Sequence, residues 1–110
     1  MAKSKKNNEI HLPAIEDVDK VIHETARLMI IANLFLVESA DFLFIMHQTG
    51  LTFGNLSSHM KKLEEAGYIE VQKDFVDRRP RTMLKLTENG RIAFKLYREK
   101  MQSLLDQTDV

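Results

Sequence analysis

Asn55, Ser57, Ser58, Lys61 and Lys62 fall close together in the stretch TFGNLSSHMKKLEEAG, residues 52–67. Their chemistry is recognition rather than bond-making. Asn pairs bidentately with adenine, Ser bonds to base edges or phosphates, and Lys contacts guanine or phosphate. The spacing predicts a helix that would present them. Thr52 can cap its first turn, and Gly67 stands where a left-handed residue would end it. Phe53, Leu56, Met60 and Leu63 recur at three and four, which predicts a buried stripe. The opposite face would then carry Gly54, Asn55, Ser58, Lys61, Lys62 and Glu65, with Ser57 and His59 on the flanks. On this reading Thr52, Asn55, Ser57, Ser58, Lys61 and Lys62 dock in a major groove. An ordinary solvated helix also shows Ser, Asn and Lys to water, so the flanking sequence has to decide.

Upstream lies DFLFIMHQTGL, a short helix over 41–48 with Asp41 as N-cap and Thr49-Gly50-Leu51 as a turn. Phe42, Ile45 and Met46 share its core face. Phe44 points the other way, toward another part of the chain or toward a partner subunit. His47 and Gln48 would lie beside the DNA backbone. Downstream, Tyr68–Lys73 and Thr82–Leu86 alternate with period two and read as a half-buried hairpin. Their connection, about Asp74 to Arg81, carries Arg78, Arg79 and Arg81, which can reach DNA backbone or a narrow minor groove. A solvated turn is the alternative. Helix, tight turn, helix and basic hairpin follow one another as in a winged helix-turn-helix.

The pattern LTxGNLSxHxxKLEEAGYIEVxK, followed by RPRTxLxLTxxGRxAF, resembles winged-helix transcriptional regulators related to the MarR and ArsR families, and most closely their small one-domain members. The resemblance covers about residues 20–100. It implies a DNA-binding regulator that acts as a homodimer. It leaves the operator, any small-molecule effector and the sign of regulation open.

Length and composition agree with one small unit. At 110 residues there is room for a single core, predicted over 10–110, behind a polar, cationic arm over 1–9 that is expected to be disordered. Net charge is zero, which argues against a non-specific polycation. Residues 52–86 nevertheless hold seven basic residues (Lys61, Lys62, Lys73, Arg78, Arg79, Arg81, Lys85) against five acids (Glu64, Glu65, Glu70, Asp74, Asp77). With no cysteine, a disulfide scaffold and a thiolate metal site are both excluded. His11, His23, His47 and His59 show no HxxxH spacing, so no metal or cofactor is expected, though a site assembled in space around His23 and Glu24 stays open. No Gly-rich phosphate loop or nucleophile elbow is present, and no enzyme is expected. Neither a membrane span nor a signal peptide is apparent, and the expected location is cytoplasmic.

The remaining segments supply scaffold and partner surface. Pro13 followed by Ile15, Val18 and Ile22 predicts a first short helix over Ala14–His23. Thr25–Val37 is apolar nearly all round and reads as a strut buried on every side. Thr87 should cap a last helix running to about Gln107. Phe94, Tyr97, Met101 and Leu104 form a coiled-coil-like seam along it, while Ile92 and Leu96 would cover the chain's own core. The seam, with Ile15, Val18 and Ile22, is the expected homodimer interface; folding back within one chain is the alternative.

The expected fold is mainly α (α+β), a winged helix-turn-helix with a two-stranded β-wing and terminal dimerisation helices. The expected function is sequence-specific binding of double-stranded DNA at a near-palindromic operator, as a homodimeric repressor that competes with polymerase. The rival is a winged helix used only for protein–protein contact. A base-reading face without aromatic or aliphatic anchors counts against that rival.

Overall fold

A computed structural model describes residues 12–110. The expected disordered arm, residues 1–9, lies outside that range. Among these described residues, four α-helices and three strands follow in the order α1 (Thr25–Val37), β1 (Ser39–Asp41), α2 (Phe42–Thr49), α3 (Phe53–Glu65), β2 (Ile69–Val76), β3 (Arg79–Leu86) and α4 (Glu88–Gln107). The architecture is a winged helix. The three strands form one antiparallel sheet in the order β1-β3-β2.

Local chemistry accounts for most boundaries. Asp41 accepts from Phe44 N at 2.8 Å, Thr52 from Asn55 N at 3.2 Å and Thr87 from Gly90 N at 3.0 Å, so α2, α3 and α4 each start on a side-chain cap. Gly50 (φ +72) and Gly67 (φ +80) turn the chain in the left-handed region after α2 and α3, where a Cβ would be strained. Before α1, Glu24 is extended and its carboxylate accepts from Arg27 N at 2.8 Å. That bond holds the Glu24 carboxyl below the usual carboxylate range. Glu38, at φ +68, ends α1, and its carbonyl accepts from Leu86 N at 2.9 Å.

The core forms where α1, α2 and α3 meet the sheet. Ile30, Ile31 and Leu34 of α1, Ile45 of α2, Leu56 and Leu63 of α3 and Leu84 of β3 are all fully buried. The α1 strut is not buried on every side, however. Its outer stripe leaves Met29, Leu36 and Val37 exposed, Leu36 at 83%. An all-round apolar helix in so small a domain runs out of neighbours to cover it.

Three other expectations are corrected. In place of a helix over Ala14–His23 there is one 3-10 turn, Ile15–Asp17, followed by an Asx turn in which Asp19 Oδ1 accepts from Val21 N and Ile22 N. Asp19 captures backbone donors that helix continuation would need. Ile15 is therefore exposed at 79%, whereas Ile22 is fully buried. Second, the hairpin ladder runs on to Val76↔Arg79, so the connection is only Asp77-Arg78. Both of these residues have positive φ (51° and 66°), the twist-matched arrangement of a two-residue hairpin turn. Arg79 and Arg81 thus stand on a strand. Pro80 is tolerated there because β1, which pairs only Ser39–Asp41 with Lys85–Met83, does not extend to cover it. Third, β1 itself, three residues directly before α2, adds a strand at the base of the wing.

On α4 the two apolar faces are exchanged. Phe94 packs on Phe35 with ring centroids 5.0 Å apart, and Tyr97 is buried and shares a 2.7 Å hydrogen bond with His23 Nδ1. Ile92 and Leu96, expected over the chain's own core, are half exposed.

Candidate nucleic-acid interface

Helix α3 presents its face as its sequence predicts on the outer side. Asn55, Ser58, Lys61, Lys62 and Glu65 are exposed, and Ser57 and His59 are half-buried flanks. Gly54 has open space around it, since a Cβ there would meet no atom within 4 Å. The Thr52 hydroxyl is used as the cap acceptor and keeps its own hydrogen to donate. His47 and Gln48 at the end of α2 are exposed.

The inner face holds one correction. Leu56 and Leu63 are fully buried and Met60 packs against the core, but Phe53 is 66% exposed. Its ring leans on Phe42, centroids 4.9 Å apart at 54°. As the first residue of α3 it lies beyond the edge of the core that its spacing pointed to.

His59 turns inward. Arg27 Nη1 donates to His59 Nδ1 at 3.1 Å, while Arg27 Nε donates to Val21 O at 2.6 Å. Arginine is always a donor, so Nδ1 must be the acceptor and the ring proton sits on Nε2. Glu24 Oε1 lies 3.7 Å from the same nitrogen. Arg27 therefore joins α3 to the segment before α1. It was not legible as a functional residue; its one signal is that it is the single charge in TARLMIIANLFLV.

Tyr68, just after α3, donates to Asp19 Oδ2 at 2.5 Å and closes the same segment from the other side. Burial, followed by this hydrogen bond to a carboxylate, pushes its phenol up to about 12. The neutral phenol is the stabilised form, so its contribution is complete below about pH 10, where an unfolded tyrosine begins to ionise, and is lost as pH rises toward 12. Between pH 10 and 12 the stability of the wild type should fall more steeply than that of Tyr68→Phe. Parallel curves in urea melts across that window would show that Tyr68 is not the linked group.

On the wing, Asp74 and Arg81 face each other across the ladder. Arg81 donates from Nε and Nη2 to the two carboxylate oxygens at 2.9 and 2.7 Å. This fork holds the Asp74 carboxyl below its usual range. Arg78, at the turn, and Arg79, one position on, are exposed, and among the described residues neither has an ion-pair partner. Arg79 and Arg81 share the face opposite Pro80. The sequence-predicted wing residues thus divide into two exposed cations at the hairpin tip and one cation already held by Asp74.

Among the described residues, no group of three or more His, Cys, Asp or Glu could hold a metal, and no helix is long and apolar enough to cross a membrane. The His23 and Glu24 side chains go instead to Tyr97 and to Arg27.

Similarity to known proteins agrees with this geometry. Residues 26–105 match the family described as a winged helix DNA-binding domain. An uncharacterised protein of Methanocaldococcus jannaschii is 40% identical over 78 residues, 71% of this chain and 85% of that protein. A solved transcriptional regulator homologue from Pyrococcus horikoshii superposes with a TM-score of 0.78 at 31% identity, covering 82% of this chain and 89% of the other. A MarR-like transcriptional regulator from Thermotoga maritima gives a TM-score of 0.61 at 26% identity, over 86% of this chain and 65% of its own. The chain belongs to the winged-helix DNA-binding domain family and is a small regulator of the kind related to MarR.

Proposed function

We propose that the protein is a homodimeric transcriptional repressor that reads a near-palindromic operator and excludes polymerase from it, in the cytoplasm where that DNA lies. One observation carries the reading: the exposed polar and cationic face of α3 and the exposed Arg78–Arg79 tip belong to adjacent elements, α3 and the hairpin that directly follows it. Thr52, Asn55, Ser57, Ser58, Lys61 and Lys62 enter the major groove, and Arg78 and Arg79 lie against backbone or minor groove. Arg81 supports the wing through Asp74. A gel shift with the DNA upstream of the protein's own gene tests this. A specific shift resistant to random competitor supports it; no preference over random duplex at any salt concentration sinks it.

Wing contact has its own signature. Replacing Arg78 and Arg79 with Ala should lower the salt slope of binding by roughly two, one counterion per lost phosphate contact, and leave the thermal midpoint nearly unchanged. Adding Arg81→Ala should change the slope less, because Asp74 already neutralises that cation. Unaltered affinity in the triple variant would make the wing an idle hairpin.

The dimer surface is narrower than its sequence suggested. Phe94 and Tyr97 are occupied within the chain and Ile22 lies in its core, so a partner is left with the far half of α4: half-buried Met101 and Leu104, and exposed Leu105. Exposed Ile15 and half-buried Val18 add to it. A 20-residue helix is about 30 Å long, enough to carry this seam past the body of the domain. Two recognition helices joined this way can meet successive major grooves about 34 Å apart. Sedimentation should show a dimer for the wild type at micromolar concentration and a folded monomer for Met101→Glu with Leu105→Glu. A monomeric wild type would refute the model.

A protein–protein role is the second reading, and exposed Phe53, Leu43 and Phe75 favour it. It predicts that duplex DNA is ignored.

A further inference from the structure

Phe53 is the feature of the recognition helix that neither core nor capping explains. A large aromatic at the first position of α3 is 66% exposed, although leaving such a ring in water is unfavourable. It is not loose. Its position is set by the Thr52 cap on one side, and its ring rests against Phe42, itself only 6% exposed. A cleft of about 280 Å³ opens beside it, bounded by Asp41, Leu43 and, on the wing, Pro80, Arg81 and Thr82. Phe53 therefore presents a pre-oriented apolar face one residue before Gly54 and two before Asn55, on the turn whose side chains contact base edges when a recognition helix docks.

We infer that Phe53 is a specificity-determining residue that packs on the C5-methyl group of a thymine in the operator. The inference rests on the DNA-binding reading above and deepens it. The choice of ligand follows from what a major groove offers. Its floor is lined with hydrogen-bond donors and acceptors, and its one apolar group is the thymine methyl, for which a phenylalanine face is a known type of partner. A cytosine in its place offers an amino group that the ring cannot pair, and an adenine or guanine offers only polar edges. Phe53 thus selects thymine at one position per half-site, adjacent to the base that Asn55 contacts. The cation in the cleft lining, Arg81, is held by Asp74, and Arg78 and Arg79, farther out at the hairpin tip, hold the passing backbone while the ring reads the base. An apolar protein segment is the competing occupant of this cleft. The continuity of Phe53 with Gly54, Asn55 and Ser58 on one exposed turn favours DNA.

The test uses the full chain and duplexes selected from a random pool by the wild type. Each thymine of the selected site is replaced in turn by deoxyuridine, which removes only the methyl group. One thymine per half-site should be methyl-sensitive, weakening wild-type binding about fourfold, the worth of one buried carbon. Phe53→Ala should bind the parent site more weakly and lose that sensitivity at that position alone, and Phe53→Leu should retain part of it. Circular dichroism melts show whether either variant remains folded; Phe53→Leu carries the test if Phe53→Ala does not. Selection of a defined site with no methyl-sensitive thymine, or a penalty unchanged in the folded variants, would overturn the assignment while leaving DNA binding intact. Failure of the wild type to enrich any sequence would overturn the DNA-binding reading itself, and this assignment with it.

Discussion

Gly90→Ala should lower the thermal midpoint by roughly 10–20 °C, corresponding to about 2–3 kcal/mol in a domain of this size. The usual direction is opposite, since Ala is about 1 kcal/mol better than Gly inside a helix. Space decides the sign here. A Cβ on Gly90 would run into the carbonyl oxygen of Tyr68, with the carbonyl carbon at 3.0 Å and Leu86 Cδ1 at 2.8 Å. The side chain of Leu86 could move; the carbonyl is fixed, because it accepts from Thr87 N at 3.0 Å. Thr87 in turn caps α4 and donates through its hydroxyl to Gly67 O at 2.6 Å. One methyl group therefore disturbs the junction of α3, β2 and α4 together. Gly54→Ala is the matched control. It sits inside α3 with open space around it, and should raise the midpoint by a few degrees while weakening DNA binding, because it thickens the face that must approach the groove. Equal midpoints for Gly90→Ala and wild type would mean that α4 does not approach Tyr68 this closely.

Asn55→Ala should cost about 1–3 kcal/mol on the selected site, between roughly fivefold and 150-fold in affinity, and relax base preference at one position. Asn55 is exposed, its backbone N–H donates to the Thr52 cap, and among the described residues its side-chain amide has no hydrogen-bond partner, which leaves it to pair with an adenine edge. Little change in stability should accompany the loss. Lys62→Ala separates positioning from reading: it should weaken selected and random duplexes alike and lower the salt slope by roughly one. If Asn55→Ala preserved full discrimination, the reading face would have to be reassigned to its flanks, Ser57 and Phe53.

Much of this molecule is legible without its structure, for a physical reason that can be traced residue by residue. Asp41, Thr52 and Thr87 each announce a helix start because the side chain that caps and the N–H it receives are three residues apart. Gly50 and Gly67 announce the ends, where the backbone needs the left-handed region. The alternation in Tyr68–Lys73 and Thr82–Leu86 marks the hairpin for the same kind of reason. These are short-range effects, and the order in which they occur specifies a winged helix. The polar face of α3 from Gly54 to Glu65 was legible too, because the residues between its members recur at the spacing of a buried stripe; the exposed Phe53 at its start was not.

What only the tertiary structure decided is which neighbour each apolar face meets. Periodicity shows that α4 has two such faces but gives no reason to choose between them. Phe35 on α1 and the close approach of Gly90 to Tyr68 bring Phe94 and Tyr97 inward and leave Ile92 and Leu96 out. The same holds for Phe53, whose spacing fits the buried stripe while its position at the helix start carries it past the edge of the core. Asp19 stopped a helix whose apolar spacing was sound, by taking the N–H groups of Val21 and Ile22 and the hydroxyl of Tyr68, 49 residues away. Arg27 reached His59 across 32 residues. Contacts of that range leave no period in the chain, so they become visible only once the elements have packed.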